Sequence, residues 1–460
     1  MKIRNTLILL GVFVVLLVFI LFLDKKPADK ASGPEEKLVA VASADVEKVS
    51  FKKDGETLTF KKDEKGDWMV LEPLEVKADN AEVGQLVDSF ADLRIERVVE
   101  AEGADPKKYG IPQKEVSLWV KGQANPVQVL VGQENPLGNT FYARKEGDKR
   151  VVLLPSTLKT ALDKKLFDFR QKDIFKFETT DVASVKLRAK DASWEAAKKD
   201  GEWFLRKPFQ ALAKETKITT LLDSLSNQRA KEFVAETKKP EDVKKAGLDK
   251  PEYEVTLALP KANKELTFGF HKAEDKTYLT TSESTKIIVP ETDLLADLDR
   301  KPADLRESKV AAFNSWQASK VVLRKGGLDL TLTKASNDKW YFDAAQKEEA
   351  DATKIDTFVR KIESLEAADY IDAPKGPAEY GLDKPQAEVT IWTKEAGEKP
   401  VEKSVKVLVG KEDQEKKQAV VKNARLDYLF KVDSAFLTEF PKEAKDWKAP
   451  EPEKKEPEKK

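Results

Sequence analysis

Four landmarks recur three times along the chain, in one order and at one period. No other feature restricts the fold so sharply. The segment Gly247-Leu248-Asp249-Lys250-Pro251 is repeated without change at Gly381–Pro385, and Tyr109-Gly110-Ile111-Pro112 has the same form. Gly110, Gly247 and Gly381 therefore stand 137 and 134 positions apart. Trp68, Trp203 and Trp340 each open a short apolar run, at intervals of 135 and 137. Helix-spaced apolar residues follow each Trp: Val83, Leu86, Val87 and Phe90, then Ile218, Leu221, Leu222 and Leu225, then Ile355, Phe358, Val359 and Ile362. The spacing is i, i+3, i+4, i+7, one face of an amphipathic helix. An apolar run then ends at Gly132, Gly269 and Gly410. This period exceeds the roughly 20–50 residues of solenoid repeats, so each copy is large enough to hold its own core. The spacing predicts modules at residues 46–177, 182–313 and 315–447.

Within the first copy, "VEKVSF", "ETLTFK" and "DWMVLE" alternate as short strands. "KDGE" between the first two is a hairpin signal. A helix is expected around Asn80–Leu93, with Asp79 or Asn80 as its N-cap. "ERVVEA" reads as a strand, and the glycine-proline punctuation at Gly110 and Pro112 reads as a turn. The strands "EVSLWV", "VQVLVG", "TFYARK" and "RVVLLP" follow, and a last helix is expected near Ser156–Phe169. Short links favour antiparallel pairing. Each module is thus expected to be α+β, an antiparallel sheet packed by about two helices. The recurrent Trp residues suit the sheet core. The second copy departs from the pattern, with Ala246 where the others have Tyr109 and Tyr380.

Ahead of the modules, Thr6–Leu23 is an uncharged run of 18 residues, close to the minimum for spanning a bilayer core of about 30 Å. It is longer than the apolar region of a typical cleaved signal, and Ala40-Val41-Ala42 lies too far downstream to be its cleavage site. Residues 1–23 are therefore expected to be a retained signal anchor, a single N-terminal transmembrane helix. The short leading tail favours leaving it inside and exporting the rest. Residues 24–45 read as a flexible stalk, and residues 448–460, "KAPEPEKKEPEKK", as a disordered charged tail.

Composition narrows the chemistry. Lys plus Arg and Asp plus Glu number 82 each, so no net field draws nucleic acid, and no nucleic-acid partner is expected. There is no cysteine, which removes disulfides and thiolate chemistry. The single histidine, His271, has no second His or Cys to complete a site. The phosphate-loop, dinucleotide, metalloprotease and nucleophile-elbow patterns are all missing. No catalytic, cofactor-binding or metal-ligating residue is singled out, and no cofactor is expected.

The G-[DE]-W run, the Y-G-[IL]-x-x-P turn and the V-L-V-G strand, behind an apolar anchor, together resemble a bacterial family of unknown function. Its members are membrane-anchored and carry tandem copies of this module. They are often encoded beside subunits of gliding-motility-type ABC transporters. The resemblance implies a non-enzymatic protein of the bacterial inner membrane, single-pass, with most of the chain exported. It would contact other envelope proteins, among them ABC transporter subunits. Two other readings compete. One is glycan binding on Trp119 and Trp392, which hold matching strand positions. The other is hydrolysis by a carboxylate pair.

Overall fold

The computed structural model describes residues 36–103, 105–136, 138, 140–342, 347–394 and 402–450. Three nine-stranded sheets dominate it, and all their strand pairings are antiparallel. In the first sheet the strand Val46–Lys53 lies beside Lys114–Val120 at the centre. From Val46–Lys53 a meander runs outward through Glu56–Lys62, Trp68–Glu72 and Val76–Lys77. From Lys114–Val120 a second meander runs the other way through Val127–Glu134, Thr140–Lys145 and Val151–Pro155, and Arg97–Glu100 closes that edge. The strand order is the same in the other two sheets. Tight turns with positive φ recur in all three sheets, at the first hairpin of the first and third and at the second hairpin of the second. Asp54-Gly55, Asp200-Gly201 and Gly326-Gly327 all have positive φ, as a two-residue turn matched to strand twist requires.

Each chain segment that crosses from one edge of a sheet to the other carries a twelve-residue helix: α1 (Asn80–Ala91), α2 (Glu215–Ser226) and α3 (Ala352–Glu363). The expected apolar positions are buried in all three, and α1 buries Ala91 as well. Asp79 caps α1 by accepting from the Ala81 and Glu82 N–H groups, and Asp351 caps α3 by accepting from Lys354 N–H. Lys214, in the same place before α2, gives no side-chain cap. The three Trp residues are buried and share one setting, each paired across strands with a lysine: Lys62 with Trp68, Lys198 with Trp203, Lys334 with Trp340. The fold is thus mostly antiparallel sheet with few helices, in three modules.

Several boundaries differ from the sequence reading. Residues 37–40 form a strand paired with Asp92–Arg94, and Leu38 and Val39 are buried. The part of the expected stalk from residue 36 onward therefore belongs to the first module. Likewise Asp173 bridges Arg229, and Ile174 N–H donates to Gln228 C=O, so residues 173–177 lead into the second module. Lys309 bridges Glu366 and Val310 N–H donates to Leu365 C=O, in the same relation to the third. These leading segments are too short to show alternation. The helix expected near Ser156–Phe169 is two pieces, Leu158–Asp163 and Leu166–Phe169, broken at Lys164, where ψ is 146°. The break lets Phe169 turn inward onto Phe60, ring centres 5.0 Å apart. At the C-terminus Lys448 bridges Ala350 and Ala449 N–H donates to Glu349 C=O. The rest of the expected tail, the expected anchor at residues 1–23 and the earlier part of the stalk lie outside the described residues. Among the described residues no helix is long and apolar enough to cross a membrane.

The residues up to Lys172 form one compact unit with its own core, built around Phe51, Phe60, Phe90 and Phe169. Those from Asp173 onward form a second unit, in which the second and third modules share one continuous apolar interior, from Val182 to Trp447.

Candidate functional site

The joint between the second and third modules is the most elaborate polar feature of the second unit. The chain leaves the second sheet through Pro302–Leu305, a 3-10 turn. Arg306 follows. It bridges Ala213, and Glu307 N–H donates to Leu212 C=O, so its backbone is held against the edge of the second sheet. Its side chain is 3% exposed and projects into the third module. The guanidinium carbon lies 3.7 Å from the Tyr370 ring centre, 4.2 Å from that of Tyr428 and 5.0 Å from that of Phe209. A cation desolvated against ring faces is held by their quadrupoles. One terminal nitrogen meets the half-exposed Asp372 carboxylate at 2.6 Å, while Nε and the other terminal nitrogen have no hydrogen-bond partner among the described residues. The Tyr428 hydroxyl accepts from Leu212 N–H across the joint at 3.4 Å. Burial pushes the Tyr428 phenol up to about 12, and burial also raises that of Tyr370. Two further polar contacts complete the joint. Asn423 Nδ2 donates to Val310 C=O at 2.9 Å, and Arg425 pairs with Glu202.

Sequence reasoning passed over Arg306, Phe209, Tyr370 and Tyr428. A signal for Arg306 was present. Phe169-Arg170 and Leu305-Arg306 stand 136 positions apart, both arginines are buried, and Arg170 bridges Ala78 as Arg306 bridges Ala213.

A cleft of about 470 Å³ opens beside the joint. One side is the chain from Glu307 to Gln317, and the other is Lys403, Ser404 and Val405 of the strand Glu402–Asp413. Its charges are of both signs, and Glu202, one of its acids, is engaged by Arg425. Next to it Trp316 is 71% exposed. Among the described residues no group of three or more His, Asp or Glu is placed to hold a metal ion.

The residues that the sequence did single out fall elsewhere. Trp119 and Trp392 are half-buried, and each is crossed by the lysine paired with it on the next strand. Lys48 Nζ is 4.3 Å from the Trp119 ring centre, and Lys320 Nζ is 4.8 Å from that of Trp392. The ring face that a sugar would stack on is already covered. In the second module the same pair is Ser184 and Ala258. His271 packs under the Gly247 turn, and its Nδ1 is buried with no hydrogen-bond partner among the described residues.

His271 also corrects a landmark. Lys114 pairs with Val131, Tyr253 with Phe270 and Ala387 with Val409, so the counterpart of Gly132 and Gly410 is His271 rather than Gly269. In the first and third modules a Cβ at that glycine would collide with the carbonyl oxygen of Tyr109 or Tyr380. The second module exchanges the pair, with Ala246 in the turn and His271 on the strand. In the second and third modules the turn reaches its strand two residues later than in the first, which hid the shift.

The family model described as Domain of unknown function (DUF4340) matches residues 68–241 and again residues 235–385. No curated protein matches the chain. Two solved structures align over most of its length. The DNA polymerase III subunit beta from Pseudomonas aeruginosa is 9% identical, with 86% of this chain and 94% of that one covered and a TM-score of 0.16. The DNA polymerase sliding clamp from the same organism with ligand is 8% identical, with 86% and 93% covered and a TM-score of 0.16. At that degree of superposition nothing passes from them to this chain.

Proposed function

The chain belongs to this family of unknown function, and on that premise we propose that it is a non-enzymatic, membrane-tethered protein of the bacterial cell envelope. Its exported modules contact other proteins, with subunits of an ABC-type transporter as the expected partners. The observation that carries the reading is the joint at Arg306. Two modules over one continuous interior present a composite surface of fixed shape, and a fixed surface suits recognition of another macromolecule. The uncharged run Thr6–Leu23 supports the tether. Repetition supports contact, because tethered copies raise the effective concentration of individually weak contacts.

The test is recovery of the full chain from bacterial membranes. It is expected to resist alkaline carbonate extraction, to dissolve in mild detergent and to carry transporter subunits with it after cross-linking. Release by carbonate would remove the tether from the reading. Cross-linked material containing no envelope protein would remove the contact role.

A further inference from the structure

We propose that the cleft beside the Arg306 joint binds an extended peptide segment of a protein partner, which pairs main chain to main chain with the open strand edge at Ser404 and lays an apolar side chain on Trp316. The inference rests on the reading above and names the surface through which contact is made.

The edge follows from the register. The strand Glu402–Asp413 is twelve residues long. Its inner neighbour covers it from Glu402 to Val409. Its outer neighbour, Gln418–Asn423, reaches only from Asp413 back to Val407, and the last bond on that side is Ala424 N–H to Lys406 C=O at 2.9 Å. In an antiparallel strand the N–H and C=O of every second residue point the same way. Those of Ser404 therefore point to the side that Lys406 uses, where no strand of the described residues lies. The second module has a matching gap, since its strand Lys264–Ala273 starts ahead of the last outer bond, Ser282 N–H on Thr267 C=O, but the first module has none. There the outer ladder runs to the start of the corresponding strand, ending with Glu146 N–H on Gln128 C=O. An unpaired edge of this kind is the template that added peptide strands use.

The occupant follows from what surrounds the edge. Glu307 and Glu363 stand with Lys309 and Lys403 around the cleft. Acids and bases together complement a segment that carries both signs and oppose a polyacid or a polycation. Trp316 supplies the apolar anchor. It is the middle residue of the 3-10 turn Ser315–Gln317, at the cleft rim in the short stretch from Asn314 to Gln317, both of which line the cleft, and it is 71% exposed. The matching turns of the other modules have Ala44 and Thr180 there. A large ring left in water at one module only, beside an open edge, is the pattern of an interface anchor.

The experiment pans a phage-displayed library of short random peptides against the full chain in detergent. Selected peptides are expected to carry an apolar residue between charges of both signs and to slow amide exchange at residues 402–405. Their binding is expected to weaken roughly tenfold or more in Trp316→Ala, and also in Ser404→Pro, which removes the paired N–H. Trp316→Ala alters an exposed side chain, so it keeps the test valid if Ser404→Pro fails to fold. Peptides that bind both variants as well as the parent, or no selected peptide at all, would overturn the proposal. The membrane cross-linking experiment, repeated with Trp316→Ala, separates the two readings. Undiminished recovery of the same envelope partner would overturn the cleft alone, whereas no partner for the parent chain would overturn the contact role itself.

Discussion

The guanidinium carbon of Arg306 lies 3.7 Å from the centre of the Tyr370 ring, although the two side chains come from neighbouring sheets. Arg306→Ala removes three ring contacts and empties the space between the modules. A loss of about 3–5 kcal/mol is expected for the second unit in urea denaturation. Arg306→Met keeps the volume and removes a buried cation that has one carboxylate partner. It is expected within about 1 kcal/mol of the parent, or above it. A Met variant as weak as the Ala variant would mean that charge, not packing, holds the joint.

Tyr428 makes the second unit sensitive to alkali. Its folded pKa is about 12 against an ordinary 10.0, because burial favours the neutral phenol. Below the ordinary value both states are neutral and the contribution is complete. Above it the unfolded chain gives up the proton while the folded chain keeps it, so stability falls until the folded value is passed. The loss is roughly 2–3 kcal/mol. Tyr428→Phe is expected to flatten the fall in urea midpoint across that window. Tyr253, also raised to about 12 by its hydrogen bond to Asp299, should keep the remainder. An unchanged alkaline slope in Tyr428→Phe would contradict the assignment.

The close approach of Tyr380 C=O to Gly410 leaves no room for a methyl group. Gly410→Ala is expected to lose about 3 kcal/mol or more, since the obstacle is backbone. Gly55→Ala, with φ of 83° and open space around it, should lose only about 1–2 kcal/mol. Equal losses, measured by thermal denaturation, would mean that the strand and turn are farther apart than described.

The caps give a test in the opposite direction. Asp79 and Asp351 cap α1 and α3, and Lys214 does not cap α2. Lys214→Asp is expected to gain about 1 kcal/mol and Asp79→Ala to lose about as much. No gain in the second unit's unfolding midpoint would show that the α2 terminus is satisfied another way.

What could be read in advance was what repeats locally. The Trp strands, the helix faces at Val83, Ile218 and Ile355 and the αL glycines Gly110, Gly247 and Gly381 are set by neighbours a few residues away, so periodicity exposes them. The joint was not legible in this way. Arg306, Tyr370 and Tyr428 meet only because two sheets dock, and no spacing along the chain records that. The Gly269 landmark failed for a related reason. Gly132 and Gly269 are separated by the same 137 positions as Gly110 and Gly247, and only strand pairing shows that the longer turn moved the register on to His271. The open edge at Ser404 was also hidden, since it depends on where a neighbouring strand stops.

Three copies of one scaffold in a single chain invite strands to pair with the wrong copy while the protein folds, a known hazard of tandem domains. The exchanged Tyr–Gly and Ala–His pairs oppose one direction of that error between neighbours. A hybrid that set the Tyr109 turn on the strand Lys264–Ala273 would drive the His271 side chain into the Tyr109 carbonyl. The first and third copies, whose turns and strands match in both directions, are the two held farthest apart in the chain, so the exchange that meets no steric obstacle either way is also the one that spans the longest stretch of chain.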